Sequence, residues 1–130
     1  MADATTGRRR RRILVVEDDA LLGIELVETL RSAGYAPLGP ARSSRDARTL
    51  LAKGGVDGAV LDLHLGRDGA QHGAVLADLL CDLGVPFLFL TAHPREEIDP
   101  HLRAFPHVAK PVSARALLAQ IAATLGEAGA

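Results

Sequence analysis

Apolar residues along the chain alternate between short continuous runs and longer segments in which they recur every three or four positions. The run at 13–16, Ile-Leu-Val-Val, is typical of a strand that is buried on both faces. In the next segment Leu22, Leu26 and Leu30 share one helical face, and Gly34 stands where a left-handed C-cap would end a helix. The pattern therefore predicts a strand followed by a helix.

The same alternation continues to the end of the chain. Crossovers between parallel strands are right-handed and cover a face of the sheet, so the pattern indicates a doubly wound α/β domain with a five-stranded parallel sheet. Pro37 and Pro40 favour an edge position for the second strand. The further strands are predicted at 35–40, 58–62, 86–91 and 108–109, and the further helices at 43–53, 75–83 and 113–125.

The segment between the fourth and fifth strands departs from this regular pattern. It contains Pro94, Pro100 and Pro106, and Pro100 would break any helix that ran through it, because proline lacks the backbone N–H and clashes with the preceding turn. We therefore expect the fourth helix to be short or irregular.

Composition and charge divide the chain into unlike parts. With 130 residues and 48% hydrophobic content, it is large enough for one domain with a real core. The formal net charge is only −1, but five of the fifteen basic residues stand together as Arg8–Arg12. The remainder is acidic, which argues against a body that binds nucleic acid or anionic membrane. We predict a disordered basic arm at 1–12, a folded domain at 13–126 and a tail at 127–130. A solvated arm is favoured over one that contacts nucleic acid or an acidic partner.

The lone cysteine and the absence of long apolar stretches limit the class of protein. Cys81 cannot form an internal disulfide and cannot ligate zinc alone. This excludes a secreted domain stabilised by disulfides and a zinc-binding module. No run in the sequence approaches the roughly 20 apolar residues that span a bilayer. We expect a cytoplasmic protein that does not insert into a membrane.

Polar residues stand where the predicted strands end. Glu17 and Asp18 follow the first strand, Asp62 ends the third, Thr91 ends the fourth and Lys110 follows the fifth. Carboxyl ends of parallel strands share one edge of the sheet, and three carboxylates gathered there are tolerable only with a cation between them. Mg²⁺ suits such a site because it takes one or two carboxylates and a phosphate oxygen. With a hydroxyl and an ammonium added, the group indicates phosphoryl transfer.

Four motifs occur in order at these strand ends: Ile13-Leu-Val-Val-Glu17-Asp18-Asp19, a single Asp62, Phe89-Leu90-Thr91-Ala92 and Lys110-Pro111. Together they resemble the receiver domain of bacterial two-component response regulators, over residues 13 to about 126. The resemblance implies a flavodoxin-like (βα)5 fold. It also implies a stand-alone regulator, since no effector domain follows in this sequence.

The resemblance implies a role for each matching residue. Asp62 would accept a phosphoryl group from a phosphohistidine of a sensor histidine kinase or histidine phosphotransferase. Asp18, Asp62 and the backbone carbonyl of His64 would bind Mg²⁺ directly, and Glu17 would bind it through water. Thr91 would swing toward the phosphoryl group, and Lys110 would pair with that group. The Lys110-Pro111 peptide bond would be cis.

Three histidines also lie near these motifs. By resemblance, His64 and His93 hold positions that tune the lifetime of an aspartyl phosphate, and His107 holds the position of a switching aromatic residue. None is predicted to bind metal through its imidazole. Leu65-Gly66 replaces the Met-Pro that usually follows the phosphorylatable aspartate.

The sequence thus predicts a response regulator that signals by protein contact, or that relays or drains phosphoryl groups. It would not be an enzyme beyond its own phosphorylation and dephosphorylation. A pseudo-receiver that binds partners without phosphorylation is the alternative. A phosphatase of the haloacid-dehalogenase type is less well matched, because it needs a second carboxylate where this chain has His64. The downstream protein target and oligomeric state stay open, and nucleic-acid binding through the arm is disfavoured.

Overall fold

The five strands form one parallel sheet in the order β2-β1-β3-β4-β5. The protein is described here by a computed structural model, which covers residues 9–64 and 70–127, without the side chains of 70–72. The doubly wound parallel fold predicted from the sequence is confirmed. The strands are β1 (Arg12–Val16), β2 (Ala36–Ala41), β3 (Gly58–Asp62), β4 (Phe87–Thr91) and β5 (His107–Ala109).

Four α-helices connect or follow the strands. Asp19, Ser43 and Ser113 each accept a hydrogen bond from a backbone N–H in the first turn of the helix that follows, which fixes where that helix begins. A cap of this kind is worth about 1 kcal/mol. The helices are α1 (Ala20–Ser32), α2 (Ser44–Ala52), α3 (Ala70–Leu83) and α4 (Ala114–Thr124).

The helices cover both faces of the sheet and create two cores. Leu14 and Val16 of β1 pack with residues of α2 and α3, whereas Ile13 and Val15 pack with residues of α1 and α4. All four side chains are fully buried. Burial of each stabilises the fold by roughly 1.5–3 kcal/mol, which explains why a continuous apolar run, rather than an alternating one, forms this strand.

Two short 3₁₀ turns, Arg95–Glu97 and Pro100–Leu102, stand where the fourth helix of a regular (βα)5 domain would lie. Pro100 begins the second turn, and the side chain of Asp99 accepts the N–H of His101. Ile98 and Leu102 are nonetheless buried in the core. The expectation of an irregular fourth helix is confirmed.

Strand β2 lies at the edge of the sheet, as its prolines predict. Gly39 has a φ of +112°, and a Cβ at this position would lie 2.7 Å from the carbonyl oxygen of Val15. The register of β1 against β2 shifts between Leu14 and Val16, beside this glycine. The Lys110-Pro111 peptide bond is cis, as the resemblance implies.

Residues 9–12 differ from the disordered arm predicted over 1–12. Arg12 begins β1. Nη1 and Nη2 of Arg9 donate to Oδ2 and Oδ1 of Asp57, each at 2.9 Å. The backbone N–H of Arg12 donates to the same carboxylate at 2.7 Å. Asp57 thus holds this part of the arm against the domain. The remainder of the predicted arm, 1–8, the Leu65-Gly66 departure and the end of the tail, 128–130, lie outside the described residues.

The described helices are all too short or too polar to cross a bilayer. This finding applies to residues 9–64 and 70–127.

Candidate functional site

Three carboxylates meet at the carboxyl edge of the sheet. Glu17 and Asp18 directly follow β1, and Asp62 ends the neighbouring parallel strand β3. Each of the three offers an oxygen atom, and these oxygens all lie within 4.8 Å of one another. Glu17 and Asp62 are buried, and Asp18 is half-buried. The sequence predicted this cluster because adjacent parallel strands end at the same edge.

Lys110 brings a positive charge into the cluster from β5. Its Nζ lies 3.1 Å from Oε1 of Glu17 and 3.3 Å from Oδ2 of Asp62. Burial by itself lowers the pKa of Lys110, but the carboxylates of Asp62 and Glu17 outweigh burial and raise it overall. Lys110 therefore stays an ammonium ion at neutral pH.

Glu17 has the most perturbed carboxyl group of the cluster. Burial raises its pKa to about 7, and the charge of Asp62 acts in the same direction. The N–H of Asp19, which donates to Oε2 of Glu17 at 3.1 Å, and the ammonium of Lys110 oppose the rise. A carboxyl group that holds a proton near pH 7 marks a site short of positive charge.

Thr91 ends β4 between Asp62 and Lys110 in the strand order. Its side chain is buried, and its Oγ1 accepts a hydrogen bond of 3.0 Å from the backbone N–H of His93. The hydroxyl proton is not used in that bond, so Thr91 can still act as a donor.

The comparisons with known proteins rest on individual relatives, because no family model matches the chain. YbdJ of Bacillus subtilis strain 168, an uncharacterized transcriptional regulatory protein, is 34% identical over 112 residues, which are 82% of this chain and 47% of YbdJ. SdrG from Pseudomonas melonis Fr1, solved in its BeF3-activated conformation, is 30% identical. It aligns with a TM-score of 0.77 over 88% of this chain and 95% of SdrG. The chain belongs to the response regulator receiver family.

A third relative agrees with this assignment. The response regulator PhyR from Brucella abortus is 25% identical and aligns with a TM-score of 0.75 over 90% of this chain and 48% of PhyR. The chain spans about half the length of the curated relatives it matches. Its family is that of the response regulators of two-component signalling.

The carboxylate cluster of the receiver fits a magnesium ion. Three carboxylates gather around one ammonium, and a further cation would offset the repulsion between carboxylates that this ammonium leaves. Hard oxygen ligands from two carboxylates, completed by water and backbone, are the donors that Mg²⁺ takes. The N–H of His64 donates to Oδ1 of Asp62 at 3.1 Å, which holds the backbone of His64 beside the cluster.

Two histidines form a pair at the mouth of this site, which the sequence did not predict as a pair. The rings of His64 and His93 lie with their centroids 4.2 Å apart at an interplanar angle of 43°. Burial, and then the neighbouring His93, lower the pKa of His64. Each histidine follows a site residue, Asp62 or Thr91, by two positions, and this shared spacing on adjacent strands is the signal that would have revealed the pair.

His107 lies in β5 and packs against the core aromatic residue Phe89, with ring centroids 5.5 Å apart. It is half-buried, and burial lowers the pKa of its imidazole. Within the part of the chain that the structure describes, its Nε2 is buried without a hydrogen-bond partner. The ring therefore lies inward and neutral, in a position from which outward rotation would give Nε2 access to water.

Proposed function

We propose that this receiver accepts a phosphoryl group on Asp62 from a phosphohistidine, in a reaction that requires Mg²⁺. The observation that carries the proposal is the position of Asp62 within one cluster that contains both the acidic pair and Lys110. An isolated strand-end aspartate would need no such neighbours. Lys110 also limits repulsion between the buried carboxylates and an incoming anion.

In the proposed step, a carboxylate oxygen of Asp62 attacks phosphorus in line with the bond to the donor imidazole. The P–O bond forms as the P–N bond breaks, and the imidazole, which carries a proton on its other ring nitrogen, leaves as the neutral base. Bound Mg²⁺, held by Asp18 and Asp62 directly and by Glu17 through water, would offset charge on the phosphoryl oxygens. Lys110 would offset further negative charge on the phosphoryl group.

The aspartyl phosphate would act as a switch rather than as a metabolic product. It adds roughly −1.5 to −2 charges to the pocket, which its fixed groups must accommodate. The hydroxyl of Thr91 would donate to the phosphoryl group, and this movement would draw the backbone N–H of His93 with it. His107, on the neighbouring strand β5, would then change its packing against Phe89.

The partner that donates the phosphoryl group would be a sensor histidine kinase or a histidine phosphotransferase. Leu21 and Ile24 lie in the first two turns of α1, directly after the acidic pair, and are 67% and 55% exposed. Exposed large apolar side chains beside a reactive centre are typical of a protein contact. We propose that these two residues contact the donor.

The output would be a contact with a further protein, or transfer or drainage of the phosphoryl group. Residues 13–126 would form the receiver that carries this function, in the cytoplasm. In this proposal the chain performs no catalysis other than its own phosphorylation and dephosphorylation.

The test is incubation of the protein with Mg²⁺ and acetyl phosphate, followed by intact mass measurement for a base-labile adduct. We expect the adduct in the wild type and in Asp46→Asn, an exposed acid on α2, and we expect none in Asp62→Asn. EDTA should abolish it. The absence of an adduct with this donor and with competent kinases would indicate a pseudo-receiver, and turnover of many phosphate esters would indicate a hydrolase.

A further inference from the structure

A groove of about 870 Å³ runs between the carboxyl end of α1 and the helix α4. Its floor is formed by small or apolar residues, among them Leu118, Ala119 and Ala123 of α4. Its rim includes Arg9, Arg10, Arg11 and Arg115. The first three of these arginines precede β1, so this end of the groove lies at the edge of the sheet opposite to the phosphorylation site.

The groove is strongly cationic on a domain that is otherwise acidic. Glu127 is the acid that lines it, and its carboxylate already accepts the hydroxyl of Tyr35 at 2.8 Å and lies 3.7 Å from Nε of Arg11. In residues 9–64 and 70–127, Arg10 and Arg115 have no carboxylate within ion-pair distance. Two guanidinium groups therefore remain for an anionic ligand.

The basic wall of the groove is built by the fold. Arg9 is held by two hydrogen bonds to Asp57, and the backbone of Arg11 accepts the N–H of Ala36 at 2.8 Å. Arg10 lies between these two anchored residues. The backbone that carries these arginines is thus held at one end of the groove before any ligand binds, which lowers the entropy cost of binding.

The opposite wall has the spacing of one helical face. Arg115, Leu118, Ala119 and Ala123 stand at positions i, i+3, i+4 and i+8 of the helix, and the eight positions from first to last span about 12 Å. Small side chains permit another helix to approach closely. Acidic residues seven positions apart on a ligand helix, about 10 Å along its axis, would share the face that meets the groove.

From this combination we infer that the groove binds an acidic amphipathic helix of a partner protein. The apolar floor favours a helix with an apolar stripe over a nucleic-acid backbone, which would use the arginines and leave the floor without a partner. A second depression, lined by Thr29 and Ser32, shares Ala33 and Leu118 with the groove and lengthens it along α1. The inference does not depend on phosphorylation of Asp62, which does not line the groove.

The test uses the full chain and a fluorescent synthetic helical peptide of about 18 residues, with leucines on one face and glutamates seven positions apart. We expect binding that weakens with added salt, and NMR shifts at Gly34, Ala119 and Ala123. The variant Arg10→Glu with Arg115→Glu should weaken binding at least about tenfold, because it places repulsive charge at both ends. Ala119→Phe should weaken peptide binding, because the larger side chain would fill the floor of the groove.

The matched control is Arg45→Glu with Arg48→Glu, which makes the same change of charge on the exposed face of α2. It should leave peptide affinity unchanged, as should Asp62→Asn. The inference would be overturned if the peptide did not bind, or if the control lost as much peptide affinity as the groove variant. So would displacement of the peptide by a DNA duplex or by ATP, which would indicate a site for phosphates. Concentration-dependent dimerisation that the groove variant abolishes would show instead that this face joins two copies of the chain.

Discussion

Glu17 is the residue at which a proton and a metal ion compete. Its carboxyl group is fully buried, and its pKa is about 7 because burial and Asp62 outweigh the N–H of Asp19 and the ammonium of Lys110. The group therefore takes up a proton more readily than an ordinary glutamate. If the receiver binds Mg²⁺ as proposed, the ion needs the charged form of Glu17, so proton release should accompany its binding.

Asp57 is the residue on which the docking of the N-terminal segment depends. Burial raises the pKa of its carboxyl group, but the N–H of Arg12 and the guanidinium of Arg9 outweigh burial and lower it below its ordinary value of 3.8. Asp57→Asn should lower the free energy of unfolding by about 1 kcal/mol at pH 7, because the charged hydrogen bonds are lost. Urea denaturation at several pH values measures this difference.

The sign of the pH dependence follows from the lowered pKa of Asp57. A carboxyl group whose pKa is lower in the folded state stabilises the fold above its unfolded value, and this contribution is lost as pH falls through the folded value. The difference between wild type and Asp57→Asn should thus be constant from neutral pH down to about 4 and shrink below that. Asp82→Asn, on the exposed face of α3, is the control. A difference that grows toward acid would contradict the assignment.

At the scale of elements, the approach of α3 to β3 ties helix packing to the site. An added Cβ at Gly73 would collide with the backbone of Leu63, the residue directly after Asp62. Gly73→Ala should therefore cost about 1–3 kcal/mol of stability. It should also slow phosphorylation by acetyl phosphate, since Leu63 cannot yield without moving Asp62. Urea midpoints and the rate of adduct formation measure the two effects.

The variant Gly84→Ala separates the effect of Gly73→Ala on stability from its effect on the rate of phosphorylation. Gly84 has a φ of +71° and open space around it, so alanine there costs roughly 1–2 kcal/mol through backbone strain alone. Its phosphorylation rate should match that of the wild type. Equal rates in the two variants would show that the contact between Gly73 and Leu63 does not position Asp62.

The elements that the sequence predicted are those decided by local pattern. Continuous apolar runs indicated the strands, and because parallel strands end at one edge, the acidic pair, Asp62, Thr91 and Lys110 could be placed together without coordinates. Pro100 likewise indicated the irregular segment before β5. In each case the residues that decide the structure lie in the predicted element or within a few positions of it.

The features that were not predicted depend on contacts between distant residues. Arg9 and Asp57 are 48 positions apart, and nothing in the arginine run shows that a carboxylate will hold part of it. Leu21 and Ile24 interrupt the polar face of α1, but a pattern alone does not distinguish an exposed apolar residue from a buried one. The pairing of the His64 and His93 rings requires the distance between two loops.

At the scale of the whole molecule, the exposed apolar residues Leu21 and Ile24 and the carboxylate cluster around Asp62 share one end of the sheet. If Leu21 and Ile24 contact the donor, Leu21→Asp with Ile24→Asp should reduce phosphotransfer from a sensor kinase that phosphorylates the wild type by about tenfold or more, since buried interface residues carry most of the binding energy. Phosphorylation by acetyl phosphate should not change. Radiolabelled transfer assays measure the first rate and intact mass the second.

Leu83→Asp is the control for this variant. Leu83 is 54% exposed and lies at the end of α3, so the control places one aspartate at an exposed apolar position away from the site, against two in the α1 variant. Loss of transfer in the control, or loss of acetyl phosphate reactivity in the α1 variant, would mean that the substitutions act on folding rather than on docking.

The two edges of the sheet also bear on how the molecule behaves at high concentration. The outer strand β2 contains Pro37 and Pro40, which lack N–H groups, and the other outer strand, β5, is only three residues long. Neither edge offers a long row of free donors and acceptors to a strand from another molecule. Self-association by sheet extension, the route to fibres, is thus disfavoured at both sides of the sheet.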